Sequence, residues 1–291
     1  MRYEGPIYRP PSEADSLLIQ ATVGCPHNRC TFCMVYKGGV RYRVRPVAEI
    51  TADLDAARNL YGEGVRTLFL PAGNTIAMPT AALAEICRYS QSRFPRLERI
   101  TVYGSAQFIA AKGATGLSTL AAAGLSRIHV GLESGDDVIL KRVKKGADAA
   151  TQVAAGRLVR EAGIELSEYV ILGLGGRERT REHARATAAA LNAIAPDFIR
   201  LRTLVPKVNT PLLAEVLAGT FQMLTPHEVL RETRVVLEGI TVATRVVSDH
   251  YTNYANISGR LPEDRDRLLA DLDAALGRDE AEFRPFFIGT Q

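Results

Sequence analysis

The chain should fold as an α/β protein: a partial (β/α)6, TIM-like barrel with a short C-terminal appendage. Three observations predict this. Short β-rich runs alternate with longer helical ones, the pattern of a parallel sheet whose strands are joined by crossover helices. Glycine-rich and polar loops follow the predicted strands one after another, where parallel βα repeats carry their functional residues. The 291 residues are 46% hydrophobic and 23% charged, a globular composition that supplies a sizeable core.

Six strands are read in order: "LLIQAT" (17–22), "TLFLP" (67–71), "RITVYG" (99–104), "RIHVGLE" (127–133), "ELSEYVILG" (165–173) and "DFIRLRTL" (197–204). Between the first two, the run 46–62 places Ile50, Leu54, Ala57 and Tyr61 on one helical face, and Gly62 and Gly64 stop it. Leu83, Ile86 and Cys87 form a later apolar stripe, and "TREHARATAAALNAI" is rich in helix-forming alanine. In "TPHEVLRE", Thr225 as N-cap, Pro226 at the first helical position and Glu228 three residues after the cap make a capping box, so a helix starts outside the six repeats. No low-complexity linker breaks the chain, which reads as a core of 1–212 and a C-terminal extension of 213–291, together one compact unit with the extension capping the barrel.

The net charge of +4 is mild and its signs are mixed, as in "LPEDRDRLLADLD", so nothing points to nucleic acid. One segment is locally basic: Lys37, Arg41, Arg43 and Arg45 have no acid between them, which reads as a solvated or phosphate-contacting loop or as a funnel for an acidic substrate. "MRYEGPIYRPPSEADS" carries no export signal and no apolar run approaches about 18 residues, so neither secretion nor membrane spanning is expected and the cytoplasm is the expected location.

The stretch "VGCPHNRCTFCMVYKGG" holds three of the four cysteines, spaced C-x4-C-x2-C. In a reducing compartment clustered cysteines read as metal ligands or catalytic groups. Three close thiolates can hold three corners of a [4Fe–4S] cube and leave one iron open to an exogenous ligand. The alternatives are zinc, with His27 completing a Cys3His set, and an electron-transfer cluster; structural zinc usually draws separated ligand pairs, and a carrier cluster normally takes four cysteines. The remaining thiol, Cys87, falls on a helix stripe and reads as core.

The loops after the later strands complete a pattern: Gly73 and Asn74 in "AGN" after strand two, Ser105 in "SAQ" after strand three, "GLES" after strand four and "YVILGLGG" at strand five, with Phe32 just before the last clustered cysteine. Over roughly 17–212 this order resembles the radical S-adenosylmethionine (radical SAM) superfamily, and "GLESG...LKRVKKG" is most similar to its branch of anaerobic coproporphyrinogen oxidase, methylthiotransferases and elongator-like enzymes. Two departures stand out, C-x4-C where the family usually has C-x3-C, and Gly73-Asn74 where it has Gly-Gly-Glu.

The resemblance implies that Cys25, Cys30 and Cys33 bind a [4Fe–4S] cluster and that S-adenosylmethionine (SAM) chelates its open iron. Reductive cleavage then gives methionine and a 5′-deoxyadenosyl radical that abstracts hydrogen from the substrate. It also implies that Gly73, Asn74 and Ser105 lie at the SAM end, that Glu133 reaches the ribose hydroxyls, that Lys145 takes the place of a carboxylate-binding arginine, and that Leu172, Gly173 and Val205 pack on the adenine. An electron donor such as flavodoxin or ferredoxin is the implied partner.

At the substrate end, Arg200 and Arg202 share one face of strand six as candidate anion ligands, and "SDHYTNYAN" offers His250 and Asn253 as candidate contacts over the barrel mouth. With only Cys87 spare, a second three-cysteine cluster is impossible, so a core acting on a small molecule is the expected activity. The competing class is a non-catalytic iron–sulfur or zinc protein for electron transfer, sensing or scaffolding.

Overall fold

A computed structural model of the chain describes residues 1–290. By internal contacts it divides into two compact units, one made of Met1–Asn28, Gly38–Val130 and Ala155–Leu166, the other of Arg29–Lys37, Gly131–Ala154 and the chain from Ser167 onward.

In the first unit β1 (Leu17–Leu18) is followed by β2 (Thr22–Val23), β3 (Arg43–Val44), α1 (Val47–Tyr61), β4 (Thr67–Leu70), α2 (Thr80–Arg93), β5 (Arg99–Gly104) and α3 (Ala106–Ala122), and β6 (Leu125–Glu133) starts here and ends in the second unit. Strands β1, β4, β5 and β6 pair in that order, all parallel. Strand one is shorter than its sequence predicts. Only Leu17 and Leu18 pair with β4, and Thr22–Val23 turns away to pair antiparallel with Arg43–Val44. That small ladder, extended by the Arg45 N–H to the Ala21 carbonyl, closes the base of the cysteine loop.

Ile50, Leu54 and Ala57 of α1 are fully buried as the periodicity predicts, but Tyr61 is exposed and Asp53 occupies the buried stripe instead. The reason is Arg45, which is buried and donates to Asp53 Oδ2 at 2.8 Å and to the Gln20 carbonyl at 2.6 Å. Arg43 meanwhile pairs with Glu4. Of the four cations in the basic segment, Arg45 is therefore a buried structural tie and departs from the reading as a solvated or substrate-facing loop, whereas Arg43 and its partner Glu4 are exposed. Leu83, Ile86 and Cys87 are fully buried, as expected.

Beneath β5 and β6 the chain's early turn (Pro11–Glu13) inserts Glu13, fully buried, between Ser16, Arg99 and His129. Burial alone would raise its carboxyl, but hydrogen bonds with His129 and Ser16 and the Arg99 charge outweigh it and hold it at about 2. A carboxylate whose folded value lies below its unfolded one stabilises the fold above the unfolded pKa, and that stability disappears as pH falls through the folded value. The expected result is a loss on the order of 3 kcal/mol between about pH 5 and pH 2, which Glu13→Gln should remove from the pH profile of denaturant unfolding.

The second unit holds α4 (Asp137–Arg142), α5 (Ala149–Glu161), which continues into the first, then β7 (Glu165–Leu172), α6 (Gly176–Ile194), β8 (Phe198–Thr203), α7 (Pro211–Leu217), α8 (Pro226–Gly239), β9 (Thr244–Val247), β10 (Gly259–Leu261) and α9 (Arg265–Leu276). Strands β7, β8 and β9 are parallel and β10 closes the edge antiparallel. The appendage thus contributes a further parallel strand, β9, beyond the six read from the sequence. Helix α8 starts with the predicted capping box at Thr225 and Glu228, worth about 1 kcal/mol to the helix.

Candidate functional site

The cysteine loop is pinned on both sides. In the first unit Gly24, at φ +75°, precedes Cys25, and its carbonyl accepts the Gly73 N–H at 3.2 Å, so the loop after β4 is tied to the loop after β2. In the second unit the Thr31 N–H donates to the Val143 carbonyl and the Leu212 N–H to the Thr31 carbonyl. Phe32 packs on the cluster of Ile139, Val143, Leu174, Leu204, Leu212 and Phe221, which fixes the short segment between Cys30 and Cys33. None of the four cysteines is in a disulfide; the three in the loop are partly exposed, whereas Cys87 is buried and burial pushes its pKa up to about 12. Among the described residues no three His, Cys, Asp or Glu side chains are gathered as around a bound metal ion.

Asn74 and Ser105 come together. Asn74 Nδ2 donates to Ser105 Oγ at 3.1 Å and lies 3.9 Å from Cys25 Sγ, while Asn74 Oδ1 is buried without a donor. A buried acceptor left open costs free energy unless a ligand supplies the hydrogen. An ammonium group fits that position by chemistry, and the amino end of SAM is one.

Glu133 and Lys145 form a second pair, 2.9 Å apart, in the second unit. Gly131 makes room for it, since a Cβ there would meet Glu133 Oε1 at 2.1 Å and Lys145 Nζ at 2.8 Å. Burial alone would lower the Lys145 pKa, but the charges of Glu133 and Cys30 and the hydrogen bond to Glu133 raise it. Lys145 thus stays an ammonium beside the cysteine loop. Glu168 is the neighbour the sequence reading missed: it is buried, its Oε2 has no partner, and burial raises its carboxyl to about 8, so it is mostly protonated at neutral pH. Its only sequence signal is a second carboxylate, three residues after Glu165, within the otherwise strand-like "ELSEYVILG".

Backbone strain falls on the same loops. Of six non-glycine residues with positive φ among those described, Asn28 lies in the cysteine loop, Ala72 beside Gly73, Lys144 beside Lys145, and Glu133 is itself one, at +63°. Such conformations persist where surrounding structure holds them, and they gather at functional sites.

Gly173, at φ +82°, ends β7 with its N–H donated to Glu232 Oε1 at 2.6 Å, and Thr180 Oγ1 donates to the other oxygen at 2.5 Å. Glu232 belongs to α8, so a helix of the C-terminal extension holds the glycine loop. A charge inside the buried stripe of Val229, Thr233 and Val236 was its sequence signal. Leu172 is buried and its carbonyl accepts from the Leu204 N–H. Val205 lies on the wall of a cavity of about 690 Å³ shared with Met223, Tyr254, Phe283 and Arg284, a volume in the range of small-ligand pockets.

Arg200 and Arg202 share the face of β8 that carries Ser167 and Tyr169 of β7: Arg200 Nε donates to Ser167 Oγ at 2.9 Å, and the Arg202 guanidinium lies 4.6 Å from the centre of the Tyr169 ring. Asn253 Oδ1 accepts the N–H of Thr203, the last residue of β8, at 2.7 Å, and its Nδ2 donates to the Leu201 carbonyl. This fastens the segment 250–253 to the carboxyl end of β8. The amide of Asn253 is committed to that anchorage, and His250 stands beside it.

Residues 19–191 match the family model of the radical SAM superfamily, more than half of the chain. The chain belongs to the radical SAM superfamily. It is similar in structure to methylornithine synthase (TM-score 0.54, 15% identity, 92% of this chain and 84% of that one). It is also similar to a radical SAM methyltransferase from Kitasatospora setae solved with cobalamin and a [4Fe–4S] cluster (0.58, 21%, 94% and 55%). A third likeness is to coproporphyrinogen III oxidase from Escherichia coli, a radical SAM enzyme (0.53, 17%, 76% and 51%). The chain therefore spans only about half the length of the last two. At these identities the likeness establishes the fold, the partial TIM-like α/β architecture. No curated protein matches the sequence. Radical SAM enzymes use a [4Fe–4S] cluster and SAM, and no helix among the described residues is long and apolar enough to cross a membrane.

Proposed function

We propose that this radical SAM enzyme binds one [4Fe–4S] cluster through Cys25, Cys30 and Cys33 and uses it with SAM to abstract hydrogen from a small-molecule substrate. The observation that carries this reading is the division of the cysteines: three partly exposed and outside any disulfide on one loop within the matched region, and one buried in a helix stripe. Cys25, Cys30 and Cys33 would hold the cluster, which when reduced would supply the electron for cleaving SAM to methionine and a 5′-deoxyadenosyl radical.

The chain's own groups would position and protect that chemistry. Asn74 Oδ1 is the open acceptor for the SAM amino group, with Ser105 orienting the amide. Lys145 is the ammonium for its carboxylate, Glu133 both holds Lys145 and accepts from the ribose hydroxyls, and Gly173, fixed by Glu232, leaves backbone space for the adenine. Residues 250–253 cap the carboxyl end of β8 and limit water there. A small one-electron donor such as flavodoxin or ferredoxin is the reductant.

Anaerobic reconstitution with iron and sulfide tests the cluster assignment. About four irons per chain are expected, with a reduced-state electron paramagnetic resonance signal that shifts when SAM is added. A protein that takes up zinc in preference, or whose iron signal ignores SAM, would contradict an open-iron site.

A further inference from the structure

Arg202 is a cation without a counterpart. Among the described residues its guanidinium meets neither a hydrogen-bond acceptor nor a carboxylate; its Nε is buried with no partner, and its one recorded contact is the Tyr169 ring at 4.6 Å. The ring contact leaves the guanidinium N–H groups for an acceptor. Most other buried or half-buried arginines of this protein are matched, Arg45 by Asp53, Arg127 by Glu165 and Arg142 by Glu215.

His250 adds a second donor. Its Nδ1 lies 2.7 Å from Thr252 Oγ1 and 3.3 Å from the Thr252 N–H; accepting from both leaves the proton of a neutral ring on Nε2, and Nε2 has no partner among the described residues. The ring is neutral at physiological pH, since burial, then Arg202 and Lys207, push its pKa down to about 4. Lys207, on the loop after β8, adds positive charge to the same place. Asn253 fixes the geometry by tying this segment to Thr203, one residue beyond Arg202.

We propose that Arg202 and His250 Nε2–H form a receptor for an oxyanion of the substrate, a carboxylate or phosphate group, at the carboxyl end of β8. The site rests on the reading that this end of the strands faces the substrate. A planar guanidinium edge takes two oxygens of such a group at once, and the imidazole N–H takes a third contact or its edge. The receptor selects anionic small molecules and holds them by the end away from the reacting carbon.

The test uses cluster-loaded protein, with inorganic phosphate and succinate as probes, each titrated at constant ionic strength while the thermal unfolding midpoint is followed. Native protein should gain several degrees at concentrations well above Kd, the larger gain marking which oxyanion is preferred. Arg202→Gln should bind at least tenfold more weakly and His250→Phe at least threefold, while the surface variant Arg260→Gln keeps the native response. Equal protection of native and Arg202→Gln protein, an adventitious ion only, would overturn the proposal, as would protection by neither anion. If Arg202→Gln does not fold, unchanged affinity in His250→Phe decides against it in the same way. SAM cleavage without substrate is measured on the same samples: native protein that binds the anion but never cleaves SAM refutes the catalytic reading and leaves the receptor standing.

Discussion

Replacing any one of Cys25, Cys30 and Cys33 with alanine is expected to strip most of the iron and the visible absorbance from the reconstituted protein. Each thiolate holds one corner of the cluster, and two sulfurs do not retain a cube that needs three. Cys87→Ala should leave iron content unchanged and cost about 1–2 kcal/mol of stability, the price of a small void in a helix stripe that packs Leu83 and Ile86. Iron analysis of the four variants checks this, and equal iron loss from Cys87→Ala would contradict the ligand assignment.

Glu133→Ala should weaken SAM binding at least tenfold, about 1.4 kcal/mol, while the cluster stays intact. It should also destabilise the fold by on the order of 3–5 kcal/mol, because Lys145, 2.9 Å away in a space kept open by Gly131, is left buried without its carboxylate. Glu133→Gln separates the two effects, since it keeps the packing and a hydrogen-bonding carbonyl. Calorimetric titration of cluster-loaded protein with SAM gives the first number and denaturant unfolding the second. Native SAM affinity in Glu133→Ala would leave the pair a purely structural tie.

The elements were legible where one physical signal dominated. Strands β4 to β8 are short β-rich runs bounded by glycine and polar residues, and their ends fall within two residues of the sequence reading. Thr225, Pro226 and Glu228 specify their helix start by local hydrogen bonding alone, so that cap needed no tertiary information. Strand one failed because its register is set from outside: Thr22–Val23 pairs with Arg43–Val44, some twenty residues away, and no local pattern encodes that partner. Tyr61 and Asp53 changed places for the same kind of reason, an Arg45 buried from a different segment.

The candidate site divides similarly. The cysteines announce themselves by spacing, and Glu133 and Lys145 by position within a motif. Glu232, Glu168 and Tyr42 do not. Glu232 reaches Gly173 from 59 residues further along the chain, and Tyr42 has a buried hydroxyl pushed up to about 12 by burial and by the charge of Cys25. Such contacts exist only once the chain has folded, so the spacing of Glu232 on its helix, Glu168 on its strand and Tyr42 in its loop does not announce them.

The measurement that bears most directly on the whole reading is the detection of 5′-deoxyadenosine. Cluster-loaded protein, reduced anaerobically and given SAM, should form it slowly without substrate, and Cys25→Ala, Cys30→Ala and Cys33→Ala should form none. Faster formation on adding a small carboxylate- or phosphate-bearing substrate would tie SAM cleavage to the receptor at Arg202. Reduced, fully loaded protein that yields neither 5′-deoxyadenosine nor methionine under any substrate condition would contradict the catalytic assignment and leave an iron–sulfur protein of another kind.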